Sequence, residues 1–538
     1  MAKLRTEAKK QEDNFSELCG NVISGTISIF LLILVTVFPL ILHNSYVDVL
    51  KTKYQCYYIT ILGMLAVILV LVVIMLFVDW KEYHGRHAIR LFARLHPDSW
   101  KSIFCLADVA VIAFWLTLLV STFRSKYFYE SFWGNEGRYS GLFLMTLYVI
   151  AYFVISRFWK VRGWILEAFL ITSLFVCGIG ITDYFQMDIL NFRGGIKPEQ
   201  STVFTSTLGN INTYTAYVAL MLGFAAAMFA TIRETRRAIW YYVCMVAGFF
   251  AIIMGCSDNA YLALGALFGF LPLLLFKSRR GIRRYLLMVA TFGTIILCMD
   301  QINQVYADIV IGLDSLFQIL VNLKYLVYMV ITLWLIYLAA MMLDRKKPDM
   351  MDETGTVPTW IWSGFLIFCV LTVCLLMYDA NIAGNAGRYG SLGNYLVFND
   401  TWGTNRGYIW RKSVELFREF PVMQKLFGYG PETFGILTTE NFYGDMIRSS
   451  QGQIFDNAHN EYLQYLLTTG VLGLVTYIIF LAAASGRMAA CRNRNKYTVG
   501  CLFAVLCYAA QALVNLNLPI TTPIMWLLLS IGMAACRK

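Results

Sequence analysis

Residues 456–481 read DNAHNEYLQYLLTTGVLGLVTYIIFL, and they pass from a polar stretch directly into an apolar one. They close the longest polar segment of the chain, which begins at Asp379 and contains TWGTNRGYIWRKSVELFREFPVMQKLFGYGPETF at residues 401–434. His459 stands at the threshold of the apolar run. A long polar segment between two apolar runs, each long enough to span a membrane, predicts a large loop at the membrane surface.

The composition indicates that the rest of the chain lies in a membrane. Of 538 residues, 58% are hydrophobic and only 14% are charged, with a mean hydropathy of +0.60. Soluble domains average about 25% charged residues. The apolar runs are each about 18–23 residues long, which fits helices and excludes the alternating strands of about 10 residues that build a membrane β-barrel. We predict an all-α, polytopic membrane protein.

The apolar runs predict about 14 transmembrane helices and three regions. Residues 1–378 would hold helices 1–11 with short loops, residues 379–460 the long loop, and residues 461–538 helices 12–14. The predicted spans lie near residues 22–43, 57–79, 103–122, 140–157, 163–182, 211–231, 238–256, 259–276, 284–301, 323–343, 359–378, 461–483, 498–516 and 520–536.

The distribution of basic residues predicts the orientation. If the amino terminus is cytoplasmic, every short inner loop carries lysines or arginines, including the clusters at residues 81–101, 277–284, 345–347 and 487–496. We therefore expect both termini inside and the long loop outside. The net charge of +11 is then explained by the inner loops and does not indicate nucleic-acid binding. The first apolar run is too long for a signal peptide and predicts a retained helix.

The loops predicted to be outside carry the unusual residues. Arg138 lies in FYESFWGNEGRYSGL, Arg193 precedes a GNIN turn at residues 209–212, and Asp258 lies at the tip of the hairpin GCSDNAY. Charged residues deep inside a span usually mark a transport pathway, and the spans here are nearly free of them. The scarcity of charged residues in the spans and the predicted unbroken helices both argue against an ion-coupled carrier.

His459 is the candidate general base. It is the one histidine beside the long outer loop, and an imidazole at a helix start in a low dielectric tends to stay neutral. The alternative is an interfacial histidine bonded to a neighbouring loop. Asp456, His459 and Glu461 could also be read as metal ligands, but their spacing matches no standard zinc signature, so no metal or cofactor is predicted.

Three arginines are candidates for binding a diphosphate without a metal ion. Arg138, Arg193 and Arg406 lie on separate loops that we expect to close over the same face, and guanidinium groups bind phosphates bidentately. Arg406 would lie in the first turn of a helix predicted over residues 405–419, where the helix dipole favours an anion. Each arginine could instead merely contact lipid headgroups.

The quoted segments resemble the family of O-antigen ligases and polymerases. HNEYLQYLLTTG is the strongest motif, and NRGYIW, FGYG, GRYSGL, GNIN and TTPIMWLLLSIGMAA extend the similarity over most of the chain from about Phe128. Members are polytopic bacterial enzymes of the cytoplasmic membrane. They act on polyprenyl-diphosphate-linked glycans outside that membrane, without a metal and with inversion.

The resemblance implies roles for individual residues. His459 would activate the hydroxyl of a glycan or glycolipid acceptor, and Arg406 would stabilise the departing polyprenyl diphosphate, with Arg193 and Arg138 as further diphosphate ligands. Membrane lipids would surround the enzyme, and nucleic acid would not be a partner. We expect substrate contacts from further residues in these motifs and in the hairpin, namely Asn210, Asp258, Tyr408, Asn460 and Glu461.

One departure from the family pattern concerns the hairpin between spans seven and eight. Members commonly carry a Ser-Arg pair there, whereas this chain has Ser257 and Asp258. A carboxylate repels phosphate, so the hairpin's role would pass to Arg193 or Arg138, or Asp258 would contact sugar hydroxyls.

Alternatives to the enzyme remain open from the sequence. Polymerase and ligase are not separated by any residue. A transporter or flippase of polysaccharide or lipid-linked glycan predicts broken helices and polar residues at mid-membrane. A non-catalytic partner of a wall-assembly complex would explain Asp258.

Overall fold

The computed structural model describes residues 2–89, 104–135, 137–194, 196–346, 352–449 and 454–537. Parts of the predicted basic clusters at 81–101 and 345–347 lie outside these ranges. Within them the chain is helical apart from loops, one isolated bridge and one short hairpin, which confirms the predicted all-α class.

The first part of the chain contains helices and one two-stranded hairpin. The two strands are antiparallel, with Phe204 opposite Asn210 and Thr205 opposite Gly209. In chain order the elements are α1 (Ala2–Leu40), α2 (Val49–Tyr83), α3 (Leu106–Arg124), α4 (Phe128–Trp133), α5 (Leu142–Phe158), α6 (Gly163–Tyr184), α7 (Pro198–Ser201), β1 (Phe204–Thr205), β2 (Gly209–Asn210), α8 (Ile211–Thr231), α9 (Thr235–Met254) and α10 (Asn259–Leu275).

The second part contains the long loop and the last spans. Two 3₁₀ turns, Ala386–Leu392 and Ala512–Val514, accompany its helices. These are α11 (Arg279–Val305), α12 (Ser315–Val321), α13 (Leu326–Lys346), α14 (Val357–Asn381), α15 (Gly393–Leu396), α16 (Trp402–Glu419), α17 (Val422–Phe427), α18 (Phe434–Ser449), α19 (Glu461–Ala490), α20 (Tyr497–Gln511) and α21 (Thr522–Ala535).

The chain is a multi-pass membrane protein. In its described part, 11 helices are long and apolar enough to cross a membrane, and α5, α10 and α21 are shorter apolar helices. Each predicted span overlaps one of these helices. The segment between the end of α14 and the start of α19 is the predicted long loop, and it folds into short helices of its own.

The centre of the bundle is α8. Every residue of its most apolar 18-residue window is buried, whereas none of the corresponding window of α14 is. Helix α20 packs along α8 at close range, because a Cβ on Gly223 would lie 2.6 Å from the carbonyl oxygen of Phe503. Small residues permit such close approach between membrane helices. The bundle is therefore organised around α8, with α14 at its periphery.

Helix α19 is broken at Gly470, a feature that the predicted unbroken spans did not include. Gly470 has φ 72° and ψ −175°, and a Cβ there would lie 2.3 Å from the carbonyl carbon of Leu426. The freed carbonyl of Thr468 accepts hydrogen bonds from the Gly430 N–H (2.8 Å) and the Ser121 hydroxyl (2.9 Å). The break is thus filled by the FGYG turn, which anchors the long loop to the bundle.

Candidate active site

His459 is held at the mouth of α19 by the two asparagines that flank it. The His459 N–H donates to Asn457 Oδ1 (2.9 Å), and Asn460 Oδ1 caps the helix by accepting from the N–H groups of Tyr462 and Leu463 (both 3.0 Å). The backbone of His459 has φ 49°, a region that residues other than glycine rarely adopt. Such backbone conformations are concentrated at functional sites.

Arg406 belongs to a helix that is bonded to this same turn. Residues 403–405 have positive φ, so the regular part of α16 begins next to Arg406, close to the predicted start. Trp410 lies one turn further on the same face of the helix. Its indole N–H donates to the carbonyl of Ala458, the residue before His459, over 3.0 Å. This bond positions the Arg406 face of α16 against the histidine.

The electrostatics around His459 favour a neutral imidazole. The pKa of His459 is lowered to about 4, because burial and then the positive charges of Arg406 and Arg138 disfavour the charged ring, and Asp456 opposes them only in part. No hydrogen bond to its ring comes from the described residues. At neutral pH the ring therefore has a lone pair available to accept a proton.

Arg138 reaches the site through an ion pair. Its Nε and Nη2 atoms donate to Asp456 over 3.1 and 2.8 Å, and Asp456 is three residues before His459. The loop between α4 and α5 is thereby tied to the entrance of α19. Tyr139, directly after Arg138, also has a positive φ of 55°.

A cavity of about 440 Å³ lies beside Arg406. Asp258 lines it together with the aromatic rings of Tyr261, Tyr395 and Trp402. Burial raises the pKa of Asp258, and the charge of Arg406 and a hydrogen bond from Tyr395 counteract that effect. The remaining polar lining is uncharged and comes from Ser315, Asn394, Asn399, Thr401 and Thr404. Aromatic faces with amides and hydroxyls are suited to a polar, uncharged ring.

The comparison with known families fits this geometry. Residues 243–478 match the sequence model of the family described as O-antigen ligase. That range includes Asp258, Arg406 and His459. The match confirms the resemblance seen in the motifs and supports a membrane glycan ligase or polymerase role, whereas no curated protein matches the chain.

Two other predicted site residues, Arg193 and Asn210, have bonding partners other than His459. Arg193 donates to the carbonyls of Asp183 and Phe204 (both 3.3 Å), and the structure joins it by no contact to His459 within the described residues. Asn210 caps α8 by accepting from the Asn212 N–H (2.8 Å). The GNIN turn thus supports the start of the central helix.

Tyr408 and Glu461 are buried in bonds within the protein. The Tyr408 hydroxyl donates to Asp445 (3.1 Å), and its ring packs in the apolar core of the long loop. The carboxylate of Glu461 accepts from the hydroxyls of Tyr477 (2.7 Å) and Tyr508 (3.3 Å). Direct substrate contacts by these residues, and by Asn460 and Asn210, stay predictions.

Glu432 is a residue of the site that the sequence analysis did not single out. It follows the FGYG turn with φ 61°, and its pKa is raised to about 7, mainly by burial, with Arg138 opposing the shift and Asp456 adding to it. The signal in the sequence was the turn itself, which places Glu432 near the entrance of α19. The described residues contain no group of three His, Cys, Asp or Glu side chains able to hold a metal ion.

Proposed function

We propose that this protein is a metal-independent, inverting membrane glycosyltransferase. It would polymerise or ligate polyprenyl-diphosphate-linked oligosaccharide on the outer face of a bacterial cytoplasmic membrane. One observation carries the proposal: Arg406 acts electrostatically on the neutral His459 and also lines the cavity that contains Asp258. The O-antigen ligase match over this part of the chain supports the same reaction class.

The proposed step is a direct displacement at the anomeric carbon of the donor. His459 accepts the proton of an acceptor hydroxyl, and that oxygen forms a bond to the anomeric carbon. The bond between this carbon and the diphosphate oxygen breaks, and its electron pair leaves on the polyprenyl diphosphate. Arg406 stabilises the charge that develops on the leaving group. The proton then passes from His459 to water.

Substrate binding would also tune the base. In the empty site Arg406 and Arg138 lower the pKa of His459, and a base of pKa about 4 removes a proton weakly at neutral pH. A bound diphosphate would neutralise these cations. The pKa of His459 would then rise toward the operating pH when the donor is in place. The base would thus be strongest in the complex that reacts.

The cavity would bind sugar rings. Tyr261, Tyr395 and Trp402 offer aromatic faces, and the uncharged polar lining offers hydrogen bonds to hydroxyl groups. Asp258 would accept from sugar hydroxyls, which resolves the departure at the hairpin without a phosphate contact. We limit the proposed diphosphate site to Arg406 and Arg138, because both act electrostatically on His459, whereas Arg193 does not and is bonded to backbone carbonyls.

The test is reconstitution of the purified protein in liposomes with a synthetic polyprenyl-diphosphate oligosaccharide and an acceptor glycan. We expect equimolar formation of the glycan product and free polyprenyl diphosphate, unchanged by a metal chelator. Donor that crosses the bilayer without forming a glycosidic bond would show a transporter instead. Release of polyprenyl diphosphate only after a divalent metal is added would refute the arginine-based account of the leaving group.

A further inference from the structure

A second concave site lies at the opposite end of the helices that carry the candidate active site. Helix α5 has 17 residues, so it spans about 25 Å from the loop of Arg138 to Phe158. At that far end a cavity of about 490 Å³ is lined by Gly20 of α1, the end of α5, the link at residues 159–161, the loop between α19 and α20, and the end of α21.

Four basic side chains line this cavity. Arg157 is paired with Asp108 over 2.6 Å. Lys160 donates to Asn21 Oδ1 (2.6 Å), and Arg494 donates to the carbonyl of Cys536 (3.2 Å), so these two contacts are to neutral oxygens. The fourth is Arg537. The lining itself contains no carboxylate among the described residues, so the cavity has an excess of positive charge.

Two donors in the lining lack an acceptor. The hydroxyl of Ser156 is 1% exposed and has no hydrogen-bond partner among the described residues. Arg537 also has no side-chain hydrogen bond within the described part of the chain, and its pKa is lowered to about 10 by burial and then by Arg157, while Asp108 opposes the shift. Buried donors normally find partners. Donors without one, facing a cavity, indicate a site for an external acceptor.

We propose that this cavity binds a phosphate group, carried by an anionic phospholipid or by a soluble phosphate compound. A phosphate offers several acceptor oxygens and negative charge, which suits the Ser156 hydroxyl and the guanidinium of Arg537. Basic pockets between membrane helices bind anionic headgroups in this way. Basic residues that only mark a cytoplasmic loop would project into solvent instead of enclosing a buried hydroxyl.

The experiment measures binding to the purified, full-length protein by native mass spectrometry. The probes are short-chain phosphatidylglycerol, phosphatidylcholine and inorganic phosphate. We expect phosphatidylglycerol to bind in preference to phosphatidylcholine, and Arg537→Gln and Ser156→Ala to weaken binding, the former about tenfold. Arg236→Gln, which replaces an exposed arginine in the first turn of α9, is the matched control and should bind as the wild type does.

Competition between the lipid and inorganic phosphate distinguishes the two sources of the phosphate group. Displacement of the lipid by millimolar inorganic phosphate assigns the site to soluble phosphate compounds, and lipid binding that resists it assigns the site to a headgroup. Equal binding by wild type, Arg537→Gln and Ser156→Ala overturns the proposal. Thermal melting without ligand checks folding, and the exposed Lys160→Gln replaces any variant that melts early. The assay involves no glycan transfer, so its outcome is independent of the proposed enzyme activity.

Discussion

Arg138 donates two hydrogen bonds to Asp456, of 3.1 and 2.8 Å, across 318 residues of sequence. The pair joins the loop after α4 to the turn that presents His459. It also places opposite charges beside the imidazole, because Arg138 lowers the pKa of His459 and Asp456 raises it. The pair is partly exposed to solvent, so its effect on stability is small, and its main effect is on the site.

Removing either member of this pair should shift the pKa of His459 in opposite directions. Arg138→Gln removes a positive charge and should raise that pKa, while Asp456→Asn removes a negative charge and should lower it. The measurement is the pH at which kcat/KM for glycan transfer falls on the acidic side of its pH profile, here called the acid limb. Arg388→Gln, on the same predicted outer side and exposed, should leave the limb unchanged. Shifts of the same sign in both variants would contradict this arrangement.

The wild-type pH profile should itself reveal the base. In the free enzyme His459 titrates at about 4, so kcat/KM should be flat at neutral pH and fall tenfold per unit below about pH 4. The limb in kcat should lie at higher pH, because bound diphosphate offsets Arg406 and Arg138. Rates are measured from about pH 3.5 to 8. Those at saturating donor give the limb in kcat, and those at limiting donor give the limb in kcat/KM. Coincident limbs would show that donor binding does not tune the base.

Loss of the imidazole should abolish most of the activity. His459→Ala removes the proton acceptor, and we expect transfer to slow at least about 10²-fold. His43→Ala is the control, since His43 is exposed just beyond α1. Initial rates of product formation at saturating donor are the readout. Activity within threefold of the wild type in His459→Ala would exclude the histidine as the base.

Arg406→Ala should impair the departure of the diphosphate more than it impairs folding. One charge-assisted hydrogen bond is worth roughly 1.5–3 kcal/mol, which corresponds to about 10- to 100-fold in kcat/KM. Arg406→Lys should recover only part of this loss, because an ammonium group cannot bind two phosphate oxygens in the bidentate geometry. Arg418→Ala, on the same helix and exposed, should retain full activity. Full activity in Arg406→Ala would disprove the assignment.

From the break in α19 we predict how two glycine substitutions change the stability of the protein. Gly470→Ala places a Cβ against Leu426 at a backbone conformation that alanine rarely adopts, and should destabilise the protein by at least about 2 kcal/mol. Gly486→Ala lies in the regular part of the same helix with open space around it, and should be neutral or stabilising by up to about 1 kcal/mol. Thermal unfolding of both purified variants distinguishes them. Equal melting temperatures of the two variants would argue against the packing of the FGYG turn into the break of α19.

Much of the architecture was predictable because hydropathy is a local property. The thickness of a bilayer sets the length of an apolar run, so each of the 14 predicted spans coincides with a helix. The start of α16 near Arg406 and the placement of His459 beside α19 were also readable, since helix caps depend on neighbouring residues. The break at Gly470 was missed, because the partner that fills it is the distant FGYG turn.

The sequence by itself determined the all-α membrane class, the long polar loop and the residue types suited to an anionic glycan donor. Only the tertiary structure decided which of three equivalent arginines meet the histidine. It brings Arg138 to Asp456, turns the Arg406 face of α16 onto the histidine through Trp410, and binds Arg193 to backbone carbonyls elsewhere. The physical reason is that convergence of distant loops depends on helix packing and on hydrogen bonds across the bundle, and the local pattern around each arginine records neither.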